Sequence, residues 1–239
     1  MINSLSIIYP IFNEENRLHD CFFDIKKFYK KNKIKRIQFI FVDDGSSDNS
    51  KKIIENFIKN KRNFFLISHK KNLGKGAALK SGVNKAKYNW ILTLDTDVSV
   101  KLSQLNIWIK KNFLNKNKIF FGSRNLKESN VKFIVIRKFV GLIFILITHM
   151  LFNIKILDTQ CGFKLYKKKI AKKIFSKLEE NGFIHDIEIV LLAKSNNFTI
   201  KELPVTWSHK SNGKVNLISD SLKMLINLIK LKFRFNKLK

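Results

Sequence analysis

Short apolar runs alternate with amphipathic stretches along the first half of the chain. The apolar runs cover residues 5–9, 36–42, 64–68 and 90–94, and turn residues bound them, with Pro10 ending the first. Apolar residues at helical spacing lie between them, over residues 14–32, 50–58 and 76–86. Near-continuous apolar strands that alternate with helices predict an α/β fold, in which helices cover both faces of a mainly parallel sheet.

The domain organisation predicted from this pattern is one α/β domain over residues 1–214 and a basic amphipathic helix over residues 215–239. The apolar face of that helix consists of Leu222, Leu225, Ile226, Ile229 and Phe233. A face of this kind either docks on the domain or lies in a lipid interface, and the sequence leaves both interpretations open. The apolar stretch at residues 139–152 falls short of the ~20 residues that a membrane-spanning helix needs.

The chain is strongly basic. Its 239 residues include 47 Lys and Arg against 18 Asp and Glu, a formal net charge of +29. The excess indicates either an anionic partner, such as nucleic acid or a phospholipid surface, or drift towards residues with A/T-rich codons. No secretory signal is predicted at the N-terminus. The two cysteines exclude a disulfide framework, and no His or Cys spacing suggests a zinc site.

Two acidic motifs directly follow predicted strands. Asp43 and Asp44 precede Gly45, and Asp95 and Asp97 follow the strand at residues 90–94. Each motif alone is compatible with an ordinary turn. Ligands of open α/β sheets bind at the carboxyl ends of the strands, where both motifs are expected. The Asp95 and Asp97 pair therefore predicts a site for Mg²⁺ or Mn²⁺, which prefer carboxylate ligands and bridge to substrate phosphates.

A glycine-rich segment, NLGKGAA at residues 72–78, follows a predicted strand and opens a helix. Its glycines and Lys75 suit the approach of a phosphate to a helix N-terminus, although a purely structural turn is the alternative. The spacing does not match the Walker pattern, which excludes a P-loop ATPase.

These motifs together carry a family resemblance. SIIYPIFNEENRL, FVDDGSSDNS, NLGKGAALKSG and LDTDVS resemble family 2 glycosyltransferases with the GT-A fold. DTQCGFKL at residues 158–165, HDIE at residues 185–188 and PVTWSH at residues 204–209 are similar to dolichyl-phosphate β-glucosyltransferases and prokaryotic enzymes that act on polyprenyl phosphates. The resemblance implies a mixed, mainly parallel sheet and spans nearly the whole chain.

The resemblance also implies roles for individual residues. Asp95 and Asp97 match the metal-binding pair. Donor-nucleotide binding is implied for Pro10, Asn13, Glu14, Asp43, Gly45, Lys75, Asp95 and Lys214. Catalytic roles are implied for Asp97, Arg124, Asp186 and Glu188, and binding of the acceptor phosphate for Arg137 and Gln160.

The expected activity is inverting, metal-dependent transfer of a hexose from a UDP-sugar, with glucose favoured, to a polyprenyl or dolichyl phosphate. The expected location is the cytoplasmic face of an anionic membrane, with peripheral attachment. Two alternatives stay open: mannosyl transfer from GDP-mannose, and transfer to a saccharide hydroxyl with Asp186 or Glu188 as general base. A nucleic-acid-binding protein would show clustered stacking aromatics and a recognisable motif. Neither is present, so no nucleic-acid partner is expected.

Overall fold

Seven strands form one sheet, and two short strands form another. The computed structural model describes residues 2–114, 118–132, 135–182, 184–208 and 219–236. The strands are β1 (Ser4–Ile11), β2 (Arg36–Asp43), β3 (Phe64–Ser68), β4 (Trp90–Thr93), β5 (Ile119–Ser123), β6 (Asn130–Lys132), β7 (Lys164–Lys167), β8 (Ile200–Pro204) and β9 (Thr206–Ser208). The large sheet has the order β3-β2-β1-β4-β7-β5-β8, and β6 pairs with β9.

Eight helices lie among the described residues. They are α1 (Leu18–Lys31), α2 (Ser50–Ile58), α3 (Lys75–Lys85), α4 (Ser103–Lys110), α5 (Val135–Phe152), α6 (Lys168–Ser176), α7 (His185–Ser195) and α8 (Ser219–Asn236). The four strands and three helices predicted in the first half of the chain are confirmed. None of the helices found among these residues is long and apolar enough to cross a membrane.

One strand breaks the parallel arrangement. β7 lies between β4 and β5 and is antiparallel to both, whereas the other neighbours in the large sheet are parallel. Lys164, the first residue of β7, pairs with Thr93 at the end of β4 and with Phe121 in β5. The loop before β7 therefore reaches the same edge of the sheet as the loops that follow β1, β2 and β4.

The prediction that Pro10 ends the first strand was wrong. β1 continues through Pro10, which pairs with Val42 of β2. Proline lacks the N–H that a central strand donates, so it is confined to positions where one side of the strand is free. The pairing between β1 and β4 stops at Ile8 and Thr93, and Pro10 lies beyond that point.

The core has two parts, one on each face of the sheet. Successive strand side chains point to opposite faces, so Phe39 and Phe41 of β2 join one cluster and Ile40 and Val42 join the other. Helices α1, α2 and α4 contribute to the first cluster. Helices α3, α5, α6, α7 and α8 contribute to the second.

Helix α8 docks on the second cluster through Leu228 and Leu231, which are buried. This face differs from the face predicted from the sequence. Ile226, Ile229 and Phe233 of that predicted face are exposed instead. The helix therefore carries two apolar stripes, and only one of them is covered by the described part of the domain.

Candidate active site

The loops after β1 and β2 are joined by hydrogen bonds between side chains and backbone. The Asn13 N–H donates to Ser46 Oγ at 2.9 Å, and the Ser47 N–H donates to Asn13 Oδ1 at 2.8 Å. The Glu14 N–H donates to Ser50 Oγ at 2.7 Å. Asn13 also has a positive φ of 52°, a conformation that asparagine tolerates better than most residues. Asn13 and Glu14 therefore shape this edge of the sheet.

The two aspartates at the end of β2 make different contacts. Asp43 accepts a hydrogen bond from the Ser46 N–H at 3.2 Å. Asp44 accepts from the backbone N–H groups of Leu73 and Gly74, at 3.0 and 2.7 Å. Gly45 has a φ of +71°, and a Cβ there would lie 2.4 Å from the backbone of the loop after β3. Asp44 and Gly45 thus hold the glycine-rich loop against β2.

The glycines of residues 72–78 are explained by packing within the protein. A Cβ on Gly74 would lie 2.3 Å from the Asn181 carbonyl oxygen, and a Cβ on Gly76 would lie 2.2 Å from that of Glu180. The Gly76 N–H donates to the Asn181 carbonyl at 2.8 Å. This contact occupies an N–H at the start of α3, so the loop is a packing element rather than an open phosphate cradle.

Lys75, between these glycines, reaches the acidic motif after β4. Its Nζ lies 2.5 Å from Asp95 Oδ1, and both side chains are partly exposed. Burial opposes the charged amine, but Asp95, Asp186 and Asp97 outweigh it and raise the pKa of Lys75 above its usual value. Lys75 is therefore a fixed cation beside the predicted metal ligands.

The second half of the acidic motif is a tight turn. Asp97 Oδ1 accepts the Ser99 N–H at 2.9 Å, and the Thr96 hydroxyl donates to the Pro10 carbonyl at 3.0 Å. Asp95 and Asp97 offer the hard carboxylate oxygens that Mg²⁺ and Mn²⁺ prefer, so the donor set fits such an ion. No group of three His, Cys, Asp or Glu side chains within the described residues is placed to hold a metal. Phosphate oxygens and water would have to complete the coordination.

A buried charge cluster lies on the other side of Lys75. Lys164 Nζ donates to Asp186 Oδ1 at 2.7 Å, and both side chains are buried. His185 Nε2 lies 3.1 Å from the same oxygen. Burial acts to raise the pKa of Asp186, but His185 and Lys164 outweigh it and hold that pKa well below its usual range. Asp186 is an ionised carboxylate that is already paired.

Arg124 and Gln160 line a second pocket, which shares Asp95 with the pocket lined by Lys75, and the two adjoining pockets form the cleft. Arg124 forms a bidentate ion pair with the buried Asp158, with Nε–Oδ2 at 2.7 Å and Nη2–Oδ1 at 2.9 Å. Its guanidinium carbon lies 5.8 Å from the centre of the Trp207 ring. The Gln160 N–H donates to Asp158 Oδ1 at 3.2 Å, so one carboxylate positions both residues.

Not every predicted residue reaches the cleft. Glu188 is buried, and its carboxylate bonds the backbone N–H groups of Glu179 and Glu180 and the Arg234 guanidinium. It lies two residues after Asp186 on α7, and a helix turns neighbouring positions to different sides. Lys214 falls outside the described residues, as does the side chain of Arg137, whose backbone lies in α5.

The site therefore combines an Asp pair after β4, a lysine from a glycine-rich loop, and an arginine after β5 that pairs with an aspartate in the loop before β7. The model of Glycosyl transferase family 2 matches residues 6–175. The chain belongs to glycosyl transferase family 2. The strands and loops that carry Asp43, Lys75, Asp95, Asp97 and Arg124 all lie inside that match.

Two curated relatives match this transferase over most of their length. A dolichyl-phosphate beta-glucosyltransferase of Trichomonas vaginalis is 32% identical over 95% of this chain and 72% of its own. A dolichyl-phosphate beta-glucosyltransferase of Dictyostelium discoideum is 32% identical over 97% of this chain and 74% of its own.

A solved structure has the same fold. The glucosyl-3-phosphoglycerate synthase of Mycobacterium tuberculosis, in complex with Mn²⁺ and UDP-glucose, superposes with a TM-score of 0.69. The match covers 96% of this chain and 79% of that one at 13% identity, which shows the fold alone. The predicted GT-A fold of the transferase is thereby confirmed.

Several residues of the site were not assigned a role from the sequence. Lys164 and Asp158 lie inside the DTQCGFKL motif, and their place in that motif was the available signal. Their roles follow from the structure. Because β7 runs antiparallel, it brings Asp158 to Arg124 and Lys164 to Asp186. Burial raises the pKa of the Cys161 thiol to about 12, which agrees with a packed residue rather than a nucleophile.

Replacing Gly162 with alanine tests how closely the cleft is packed around Asp95. A Cβ at Gly162 would lie 2.3 Å from Asp95 Oδ2, the end of a side chain that can move. Gly162→Ala is therefore expected to displace the carboxylate and lower transferase activity by ~10²-fold, the effect typical of an ångström-scale misplacement. The melting temperature should change little.

Gly141→Ala is the matched control, because nothing lies within 4 Å of a Cβ at that position in α5. It should keep wild-type activity. Wild-type activity in Gly162→Ala would contradict the role given to the Asp95 position.

Proposed function

We propose that this transferase moves a glucosyl group from UDP-glucose to dolichyl phosphate or a related polyprenyl phosphate, with inversion at the anomeric carbon. The observation that carries the proposal is the similarity, over at least 95% of this chain, to two dolichyl-phosphate beta-glucosyltransferases. A solved structure of the same fold in complex with Mn²⁺ and UDP-glucose supports the choice of donor. The chemistry of the cleft supports the same assignment.

In this proposal Asp95 and Asp97 hold a divalent cation. Bound there, Mg²⁺ or Mn²⁺ would neutralise charge on the departing UDP. Lys75 adds a second positive charge at the same place, since its Nζ already lies 2.5 Å from Asp95. Asp43 and the hydrogen-bonded loops that contain Asn13 and Glu14 form the neighbouring wall, which we assign to the nucleotide.

The acceptor is proposed to be a phosphate because Asp186 and Glu188, the two predicted general bases, are both occupied by other groups of the described residues. Asp186 is paired with Lys164, and its pKa is held below the usual range, so it is a weak proton acceptor. Both oxygens of Glu188 are occupied by Arg234 and by backbone N–H groups. A phosphate monoester has a second pKa of about 6 and is already anionic at neutral pH. It can attack without a base, whereas a saccharide hydroxyl needs one.

The cations on the acceptor side act mainly by position. Arg124 is held in place by its ion pair with Asp158. Its side chain therefore loses little conformational entropy when the acceptor binds. Gln160 lines the same small cleft as Arg124 and Asp95. We assign this side to the acceptor phosphate, together with Arg137, whereas the role proposed for Lys214 stays with the donor nucleotide.

An assay with a panel of substrates tests the proposal directly. The purified enzyme with Mn²⁺ should transfer from UDP-glucose to a polyprenyl phosphate, and product formation is followed by mass spectrometry. Transfer from GDP-mannose under the same conditions would replace the proposed donor. Transfer to a free saccharide, with no transfer to the lipid phosphate, would replace the proposed acceptor.

Asp97→Asn is expected to lower metal-dependent turnover by at least about 10²-fold, because it removes one of two charged ligands. The Asp97 side chain is only partly buried, and asparagine can still accept the Ser99 N–H, so the melting temperature should be preserved. Steady-state rates at several Mn²⁺ concentrations check this. A wild-type rate at saturating Mn²⁺ would remove Asp97 from the metal site.

We also propose that helices α5 and α8 rest on an anionic membrane surface at the cytoplasmic face. Each helix carries an exposed apolar stripe at i, i+3 and i+7 spacing. The stripes are Ile143, Leu146 and Met150 on α5, and Ile226, Ile229 and Phe233 on α8. The two helices contact each other, and no acidic residue follows Asp220 in the chain. Apolar stripes beside lysines are typical of interfacial helices.

Phe233→Ser is expected to weaken binding to vesicles that contain anionic lipid by about tenfold or more, because a buried Phe contributes roughly 1.5–3 kcal/mol. Phe23→Ser is the control. Phe23 is similarly exposed, at 62% against 65% for Phe233, but lies on α1, across the sheet. Vesicle co-sedimentation at two salt concentrations measures both. Equal losses in the two variants, or none in Phe233→Ser, would contradict the proposed surface.

A further inference from the structure

The C-terminal end of α8 meets the start of α7 through a cluster of charged side chains. Arg234 Nη2 donates to Glu188 Oε1 at 2.6 Å, and its Nη1 donates to Glu179 Oε2 at 3.0 Å. Glu188 is 1% exposed, whereas Arg234 is partly exposed. A buried carboxylate needs charge partners and hydrogen bonds, so removing Arg234 would leave Glu188 short of its only cation among the described residues.

Glu188 also binds the backbone of the segment that precedes α7. Its second oxygen, Oε2, accepts the backbone N–H groups of Glu179 and Glu180 at 3.1 and 2.6 Å. One carboxylate therefore ties α8 to the backbone of residues 179–180. The geometry of that segment depends on both oxygens of Glu188 staying in place.

The same segment packs on the glycine-rich loop. The Asn181 carbonyl accepts the Gly76 N–H at 2.8 Å, and it lies so close to Gly74 that no side chain fits there. Lys75 lies between these two glycines and pairs with Asp95 in the cleft. The path from Arg234 to Asp95 is thus a continuous series of short contacts, through Glu188, residues 179–181 and the glycine loop.

We propose that Arg234 is a positioning residue for the cleft. It fixes Glu188, and through residues 179–181 it holds the glycine-rich loop in the register that directs Lys75 at Asp95. Loss of Arg234 should loosen this loop and misplace Lys75, although Arg234 itself touches neither substrate. The assignment of the ligand at Lys75 as a nucleoside diphosphate rests on the proposed function. The link from Arg234 to the glycine-rich loop rests on the contacts alone.

Amide hydrogen–deuterium exchange of residues 72–80, in the absence of nucleotide, tests the link by itself. Arg234→Gln and Glu188→Gln are expected to speed exchange in this segment by about tenfold, within the range usual for coupling between sites. Arg234→Lys should restore part of the protection because it keeps a positive charge. The control is Lys169→Gln, since Lys169 is exposed on α6 and forms no ion pair with the described residues.

Kinetics then separate positioning from general loss of structure. The KM for UDP-glucose should rise by about tenfold in Arg234→Gln, while the KM for the lipid phosphate stays near wild type. Unchanged exchange at residues 72–80 in both Gln variants would overturn the proposal, as would faster exchange spread evenly over the sheet. If the wild type shows no affinity for UDP, the proposed function fails, and the exchange result still decides the link.

Discussion

The reversed strand β7 is the constraint on which the cleft depends. A purely parallel sheet would bring only loops that follow strands to the carboxyl edge, as do the loops after β1, β2, β3, β4 and β5 here. Because β7 runs antiparallel between β4 and β5, the loop that precedes it arrives there as well. That loop, together with the first residue of β7, brings Asp158, Gly162 and Lys164 to the ends of the neighbouring strands. Arg124, Asp95 and Asp186 each take a contact from it.

Charge pairing organises the cleft within a chain of formal charge +29. Asp95, Asp158 and Asp186 each face a lysine or an arginine. Ion pairs of this kind fix the side chains before any ligand binds, which is the preorganisation that transfer of a charged group requires. Lys75 is held by Asp95 and Arg124 by Asp158, so each of these cations has a fixed position at the cleft.

Helix α8 connects this cleft with the surface of the protein. One of its sides is covered by the second hydrophobic cluster through Leu228 and Leu231, and another exposes apolar residues. Arg234 then fastens its end to the buried Glu188. This one helix of 18 residues thus carries a packing face, an exposed apolar stripe and an ion pair. Because apolar residues lie on both the buried and the exposed sides, the sequence shows that the helix is amphipathic but does not show which side is covered.

The sequence alone determined the strands and helices of the first half, because near-continuous apolar runs and 3.6-residue spacing are local signals. It also indicated the acidic motif at Asp95 and Asp97 and the family, since short motifs keep their order along the chain. The contacts of single residues depended on distant partners. Glu188 bonds Arg234, 46 residues away, and Arg124 bonds Asp158, 34 residues away. Only the tertiary structure decided these pairs, because strand order, the reversal of β7 and the docked side of α8 arise from packing between segments far apart in the chain.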